Sequence, residues 1–150
     1  MLVVRRSPRG GRDMDAREDL ELLIVEDRQV MLKILRRLLL QLGYARIDQA
    51  ANGLEALELI GRKRYDLILS DWNMDGMSGF ELLKAVRAAP ATQATPFILV
   101  TAEAKRENIL AARAAGASGY LVKPFKLDVF EKTLDSVLAA NAGFVNLAVA

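Results

Sequence analysis

Short apolar runs separated by longer stretches of helical period constrain the fold of this chain most. Leu22-Leu23-Ile24-Val25, Leu67-Ile68-Leu69 and Phe97-Ile98-Leu99-Val100 carry no polar alternation and are too short for buried helices. They read as strands covered on both faces, which is the habit of parallel sheets. The first strand spans residues 20–25. Between the runs the period changes. Val30, Ile34 and Leu38 recur every four residues, with Met31, Leu35, Leu39 and Leu42 beside them, so a helix with a broad apolar face is expected, ending near Gly43. A weaker strand is expected over residues 45–50. Asn52-Gly53-Leu54-Glu55 fits a capping box and opens a helix to about Arg62; Ser78-Gly79-Phe80-Glu81 fits a second, with a helix ending near Ala89. Residues 104–115 form an alanine-rich helix stopped by Gly116, residues 119–122 a short strand. Leu127, Phe130, Leu134 and Val137 or Leu138 mark a last helix. Five strands alternating with five helices define an α/β, doubly wound parallel sheet, and right-handed crossovers leave few topologies.

At 150 residues one domain is expected. The body is placed at residues 20–140. Residues 1–19 read as a disordered basic tail, with Arg5, Arg6, Arg9 and Arg12 around Ser7-Pro8-Arg9-Gly10-Gly11. Residues 141–150 read as a short apolar C-terminal tail that extends the helix, packs as an arm or is foreign to the fold. Outside the arginine tail the charge is near balance, which gives no electrostatic case for DNA. No apolar run approaches the roughly 18 residues of a membrane span. Cysteine and histidine are both absent. This excludes disulfides, thiolate catalysis, Ser-His-Asp triads and histidine metal sites, and it fits a cytoplasmic protein.

Asp71 closes the run Asp66-Leu67-Ile68-Leu69-Ser70-Asp71 and so falls at the carboxyl end of a strand. In open α/β sheets that edge is where ligands bind. Glu26 and Asp27 follow the first strand, Thr101 the fourth and Lys123 the fifth. Each alone would be a cap or a loop residue; together they form an ordered set of acids, hydroxyl and amine. Three carboxylates in one crevice repel one another, and Mg2+, with its preference for oxygen ligands, relieves this. Asp71 could then act as a nucleophile toward phosphorus, with Thr101 and Lys123 serving the phosphoryl oxygens.

Three stretches make this pattern specific: Ser70-Asp71-Trp72-Asn73-Met74, Val100-Thr101-Ala102-Glu103-Ala104-Lys105, and Ala115-Gly116-Ala117-Ser118-Gly119-Tyr120 through Lys123-Pro124-Phe125. In these the chain resembles the receiver domain of bacterial two-component response regulators, nearest to its CheY-like single-domain members, over residues 20–139. The resemblance implies the flavodoxin-like strand order 2-1-3-4-5. It implies Asp71 as phosphoacceptor, and Glu26, Asp27, Asp71 and the Asn73 carbonyl around Mg2+, Glu26 acting through a water. It implies Thr101 as switch hydroxyl, Ala102 as backbone donor, Tyr120 as switch aromatic, Lys123 as the charge partner and a cis Lys123-Pro124 bond. Asn73 and Glu103 fall where the family modulates dephosphorylation, and they imply a short-lived phosphoryl group. One departure stands out: Asp75-Gly76 follows Met74, where the family usually has proline.

The resemblance further implies a sensor histidine kinase as phosphodonor and output through the fourth helix, fifth strand and last helix. On that face lie Ala104, Lys105, Arg106, Ile109, Tyr120, Val122 and Phe125, with a flagellar motor switch protein as favoured partner. Such members are usually monomers, with dimerisation on phosphorylation possible, and catalyse only their own phosphorylation and dephosphorylation. The runner-up is a phosphorelay shuttle or phosphate sink passing the group to a histidine phosphotransfer protein. A remote rival is a hydrolase with an aspartyl phosphate intermediate; such enzymes typically have aspartate at the position held here by Asn73. No Gly-x-Gly-x-x-Gly follows the first strand, which argues against a dinucleotide site.

Overall fold

The structure, a computed structural model, describes residues 16–139 and 141–147. The strands are β1 (Glu21–Val25), β2 (Arg46–Ala50), β3 (Leu67–Asp71), β4 (Phe97–Thr101) and β5 (Gly119–Val122). The helices are α1 (Gln29–Gln41), α2 (Gly53–Arg62), α3 (Gly79–Ala88), α4 (Arg106–Ala114) and α5 (Leu127–Leu138). All pairings are parallel, in the order β2-β1-β3-β4-β5. β3 and β4 are buried at every position, as their unbroken apolar runs require.

Successive strand residues feed two cores. Leu22, Ile24, Leu67, Leu69, Ile98, Val100 and Leu121 meet Leu32, Leu35 and Leu39 of α1 and Phe130, Leu134 and Val137 of α5. Leu23, Val25, Ile68, Phe97, Leu99 and Tyr120 meet Ala56 of α2, Leu82, Leu83 and Val86 of α3 and Ala112 of α4. The period of two along each strand thus supplies both layers.

Some local expectations need correction. On α1 the stripe against the sheet is Leu32, Leu35 and Leu39, whereas Val30 is 73% and Ile34 44% exposed. The four-residue repeat of Val30, Ile34 and Leu38 runs along the edge of the apolar sector, not its centre. α4 begins at Arg106 rather than Ala104. The second capping box is complete, with Ser78 Oγ accepting from Glu81 N–H and Glu81 Oε1 from Ser78 N–H. The first is only half made: Asn52 Oδ1 accepts from Glu55 N–H, but Glu55 Oε1 accepts from Ala51 N–H.

Arg5, Arg6, Arg9 and Arg12 lie outside the described residues. At the end of the expected tail, Arg17–Asp19 form a 3-10 turn. Arg17 donates to Leu42 O at 2.8 Å, pairs with Glu131 at 2.9 Å and Asp135 at 3.0 Å, and lies over the Tyr44 ring. Residues 141–147 pack as an arm: Val145 bridges to Gly119 in parallel at the free edge of β5.

A polar knot ties the amino ends of the strands, away from Asp71. Tyr65 Oη donates to Asp48 Oδ2 at 2.7 Å, and Lys63 Nζ lies 3.0 Å from both Asp48 and Glu21. The Tyr65 hydroxyl first, and Lys63 in addition, hold the Asp48 carboxyl below its usual range. Tyr65→Phe is expected to lower stability by about 1 kcal/mol at pH 7 in urea unfolding. A depressed carboxyl contributes stability above its unfolded pKa and loses it as pH falls through the folded one. The gap between Tyr65→Phe and the parent is therefore expected to narrow below about pH 4; a constant gap would assign the effect to packing.

Candidate functional site

The site is assembled by ladder bonds that run one residue past the strands. Glu26 N–H donates to Ala50 O at 3.1 Å, Trp72 N–H to Val100 O at 2.9 Å and Lys123 N–H to Thr101 O at 2.8 Å. These bonds fix the backbones of Glu26, Asp71, Thr101 and Lys123 along one sheet edge. Behind Asp71, Gly79 N–H donates to Trp72 O at 2.8 Å, so α3 starts directly against the end of β3. A Cβ at Gly79 would overlap the Asp71 carbonyl, which explains the glycine inside that capping box. Ser70 Oγ donates to the same carbonyl at 2.9 Å.

Lys123 Nζ lies 2.9 Å from Asp71 Oδ1 and 3.7 Å from Glu26 Oε1, and all three side chains are buried. Glu26 Oε2 accepts from Arg28 N–H at 3.2 Å and lies 3.5 Å from the Arg28 guanidinium. Glu26 Oε1 is buried with no hydrogen bond. Burial first, and the Asp71 charge second, push the Glu26 carboxyl above its usual range. Asp27 is the most open of the three acids. One oxygen from each of Glu26, Asp27 and Asp71 lies within 4.8 Å of the others. Two buried acids and a more open one, with one buried lysine against them and a carboxylate oxygen left unsatisfied, make an oxygen donor set that a hard cation fits. The Asp75-Gly76 departure reaches this site. Gly76 takes φ +77°, as a tight turn demands, and Asp75 N–H donates to Asp27 Oδ2 at 3.3 Å.

Thr101, at the end of β4, is buried. Its Oγ1 accepts from Glu103 N–H at 3.1 Å, and the Glu103 carbonyl accepts from Tyr120 Oη at 2.7 Å. Glu103 thus links the hydroxyl beside Asp71 to the ring on β5. Tyr120 is wholly buried and meets Trp72 edge-on at 6.3 Å; burial, and then the Glu103 charge, raise its hydroxyl to about 12. Ala102, Asn73 and Glu103 are exposed around the crevice. The Lys123-Pro124 bond is cis.

The residues expected on the output face divide. Ala104, Lys105 and Arg106 are exposed before and at the start of α4, while Ile109, Tyr120 and Val122 share the second core. Phe125 belongs to the other core, stacked on Phe130 at 5.1 Å. It also lines an apolar cleft of about 440 Å³ with Met31, Ile34 and Leu38. Arg28, Gly79 and the Asp75 amide were missed by sequence reasoning. Gly79 left a trace, as a glycine placed directly after a capping serine, and Asp75 stood out in the sequence as an added acid rather than for its amide.

A parallel five-stranded sheet with acids, hydroxyl and lysine at its carboxyl edge is the architecture of a receiver domain. The sequence profile of the response regulator receiver domain matches residues 22–135, and the chain belongs to that family. It is 40% identical over 120 residues to chemotaxis protein CheY-3 of Vibrio cholerae, covering 80% of this chain and 92% of that one. Identity to chemotaxis protein CheY of Pseudomonas aeruginosa is 40% over 118 residues, 79% of this chain and 95% of that one. Among solved structures, Vibrio cholerae CheY4 superposes with a TM-score of 0.74 at 38% identity, covering 79% of this chain and 98% of that one. The receiver domain of the Pseudomonas aeruginosa sensor kinase PA1611, with magnesium coordinated in its active site cleft, superposes at 0.72 and 32% identity, over 79% and 97%.

Lys123→Met removes the cation from between two buried carboxylates. Breaking a buried pair from one side typically costs about 3 kcal/mol. Urea unfolding at pH 7, free of divalent cations, is expected to show a loss of that order. Adding Glu26→Gln should recover part of it; equal losses in both variants would mean that Lys123 stabilises by packing alone.

Proposed function

We propose that the chain is a phosphorylation-switched signalling protein of chemotaxis and flagellar motor control. In this reading it accepts a phosphoryl group on Asp71 from a sensor histidine kinase, with Mg2+, and alters binding through α4, β5 and α5. The observation that carries the reading is the Asp71 carboxylate, buried at the end of β3, 2.9 Å from Lys123 and grouped with Glu26 and Asp27. The family membership and the chemotaxis relatives support it.

Asp71 Oδ attacks the phosphorus of a phosphohistidine. The O–P bond forms as the N–P bond breaks, and the imidazole nitrogen leaves with the electron pair. Glu26, Asp27, Asp71 and the Asn73 carbonyl would hold Mg2+. The chemistry bound Mg2+ supplies is neutralisation of charge on the phosphoryl oxygens. Lys123 pairs with one of those oxygens, and the Thr101 hydroxyl and Ala102 N–H donate to others.

The switch follows from the Glu103 link. Once Thr101 turns to the phosphoryl group, the Glu103 amide loses its acceptor. The loop that also holds the Tyr120 hydroxyl is then free to rearrange. Ala104, Lys105 and Arg106 lie directly after it, so the change reaches the start of α4. Asn73 and Glu103 flank the crevice from two loops, where they can influence the water that hydrolyses the aspartyl phosphate. A lifetime of seconds to minutes follows from this reading. The shuttle alternative uses the same site and differs in its partner, a histidine phosphotransfer protein.

Trp72, the single tryptophan, stacks on Phe80 at 5.0 Å beside Asp71, so its fluorescence reports the site. Mg2+ is expected to give a saturable change, and acetyl phosphate or beryllofluoride a second change that Asp71→Asn abolishes. Folded protein silent to both would overturn the reading. Phosphorylation-dependent capture of a flagellar switch peptide supports motor output, whereas return of the phosphoryl group to a histidine phosphotransfer protein would replace it with the shuttle.

A further inference from the structure

The free edge of β5 is taken by the chain itself. Val145 N–H donates to Ser118 O at 3.0 Å, and Tyr120 N–H donates to Val145 O at 2.9 Å, the bond pattern of an added parallel strand. The flanking side chains behave as strand neighbours do. Phe144 packs with the core that holds Ile109, Ala112 and Tyr120, and Val145 with the core that holds Phe130 and Val137. The Arg113 guanidinium of α4 lies 5.9 Å over the Phe144 ring. Gly119 lets α5 close on the sheet beside the added strand: a Cβ there would lie 2.9 Å from Val137 Cγ2, with Val145 O at 3.4 Å. Asn141, at φ +58°, lies between the end of α5 and this strand.

We infer that Phe144 and Val145 form a sixth strand in cis that closes the β5 edge and withholds the amino-terminal half of the α4-β5-α5 face from a second copy of this chain. An uncovered edge strand is a template for pairing with another chain, and here the template's donors and acceptors are already used. The contact is also displaceable. Its backbone pairing amounts to two hydrogen bonds, its side chains are only partly buried, and Asn146 Oδ1 is buried with no hydrogen-bond partner among the described residues. Lys105 and Arg106, at the start of α4, stay exposed. Because Tyr120 donates to the strap through its amide and to Glu103 through its hydroxyl, strap and crevice meet at one residue. The inference needs no phosphorylation and stands apart from the functional reading.

The test compares the full chain with a chain ending at Asn141, and with Phe144→Ala and Val145→Pro, which leave the length unchanged. Val145→Pro deletes the N–H that binds Ser118. Amide exchange read by NMR is expected to be at least tenfold faster at Tyr120 in all three variants, with little change at Leu99 in the middle of β4. Sedimentation equilibrium without phosphodonor is expected to show the full chain monomeric and the truncated chain self-associating at high micromolar concentration. Unchanged exchange at Tyr120 would mean the strap is not formed in solution. Faster exchange with the truncated chain still monomeric would overturn the masking role.

Discussion

A carboxylate held inside a buried sheet edge is the constraint on which the rest of this molecule turns. β3 is covered along its whole length, and Asp71 is still within that cover. A buried charge must be paired or hydrogen-bonded. Here the pairing comes from Lys123, whose position is set by a backbone bond to Thr101, whose own strand is registered on β3. The same ammonium also reaches Glu26, which the exposed Arg28 meets from the other side, so Lys123 is the buried cation shared by two buried acids. Glu26 Oε1 is left unsatisfied, and burial first, with the Asp71 charge second, pushes its carboxyl upward. A site built this way is under-neutralised by design of its ladder, and further positive charge is what it lacks.

The coupling from this edge to the surface is short. Thr101, Glu103 and Tyr120 are joined by two hydrogen bonds that share Glu103, one through its amide and one through its carbonyl. Changing the partner of one peptide group disturbs the other without any long chain of contacts. The far side of Tyr120 is the backbone amide that meets Val145. The crevice, the ring and the C-terminal strand therefore bear on the same residue of β5, and a shift at any one of them changes the bonds available to the others.

Most of the fold was legible because parallel strands buried on both faces cannot hide their apolar runs. Leu67-Ile68-Leu69 and Phe97-Ile98-Leu99-Val100 announced β3 and β4, and the placement of Asp71, Thr101 and Lys123 after strands announced the edge they share. What escaped was of a different kind. Whether Val30 or Leu32 faces the sheet depends on the rotation of α1, and a run as leucine-rich as this one leaves several faces apolar. The second arm of the Asn52 cap went to Ala51 because Glu55 can reach either amide. Arg17 and the Asp75 amide act over long sequence separation, which no local pattern encodes, and Arg28 meets Glu26 two residues away in a turn that the apolar pattern does not mark. Phe144-Val145 lacked the alternation that marks a strand, since both of its side chains enter cores, one on each side of the sheet.

The Asp75-Gly76 pair shows why a departure from a family's pattern has to be judged by geometry. From the sequence it removes a stiff proline and adds an acid near a cluster of acids. In three dimensions the contact with the site runs through the acid's backbone. Gly76, at φ +77°, turns the loop so that the Asp75 amide faces Asp27 and donates to its carboxylate. A backbone N–H is a fixed partial positive charge, and it sits against the most open of the three acids. The turn thus offers Asp27 some of the compensation that Lys123 gives Asp71 and Arg28 gives Glu26. Each acid of the crevice has its own donor, drawn from a different part of the chain, and the arrangement persists without the proline because the left-handed glycine supplies the bend.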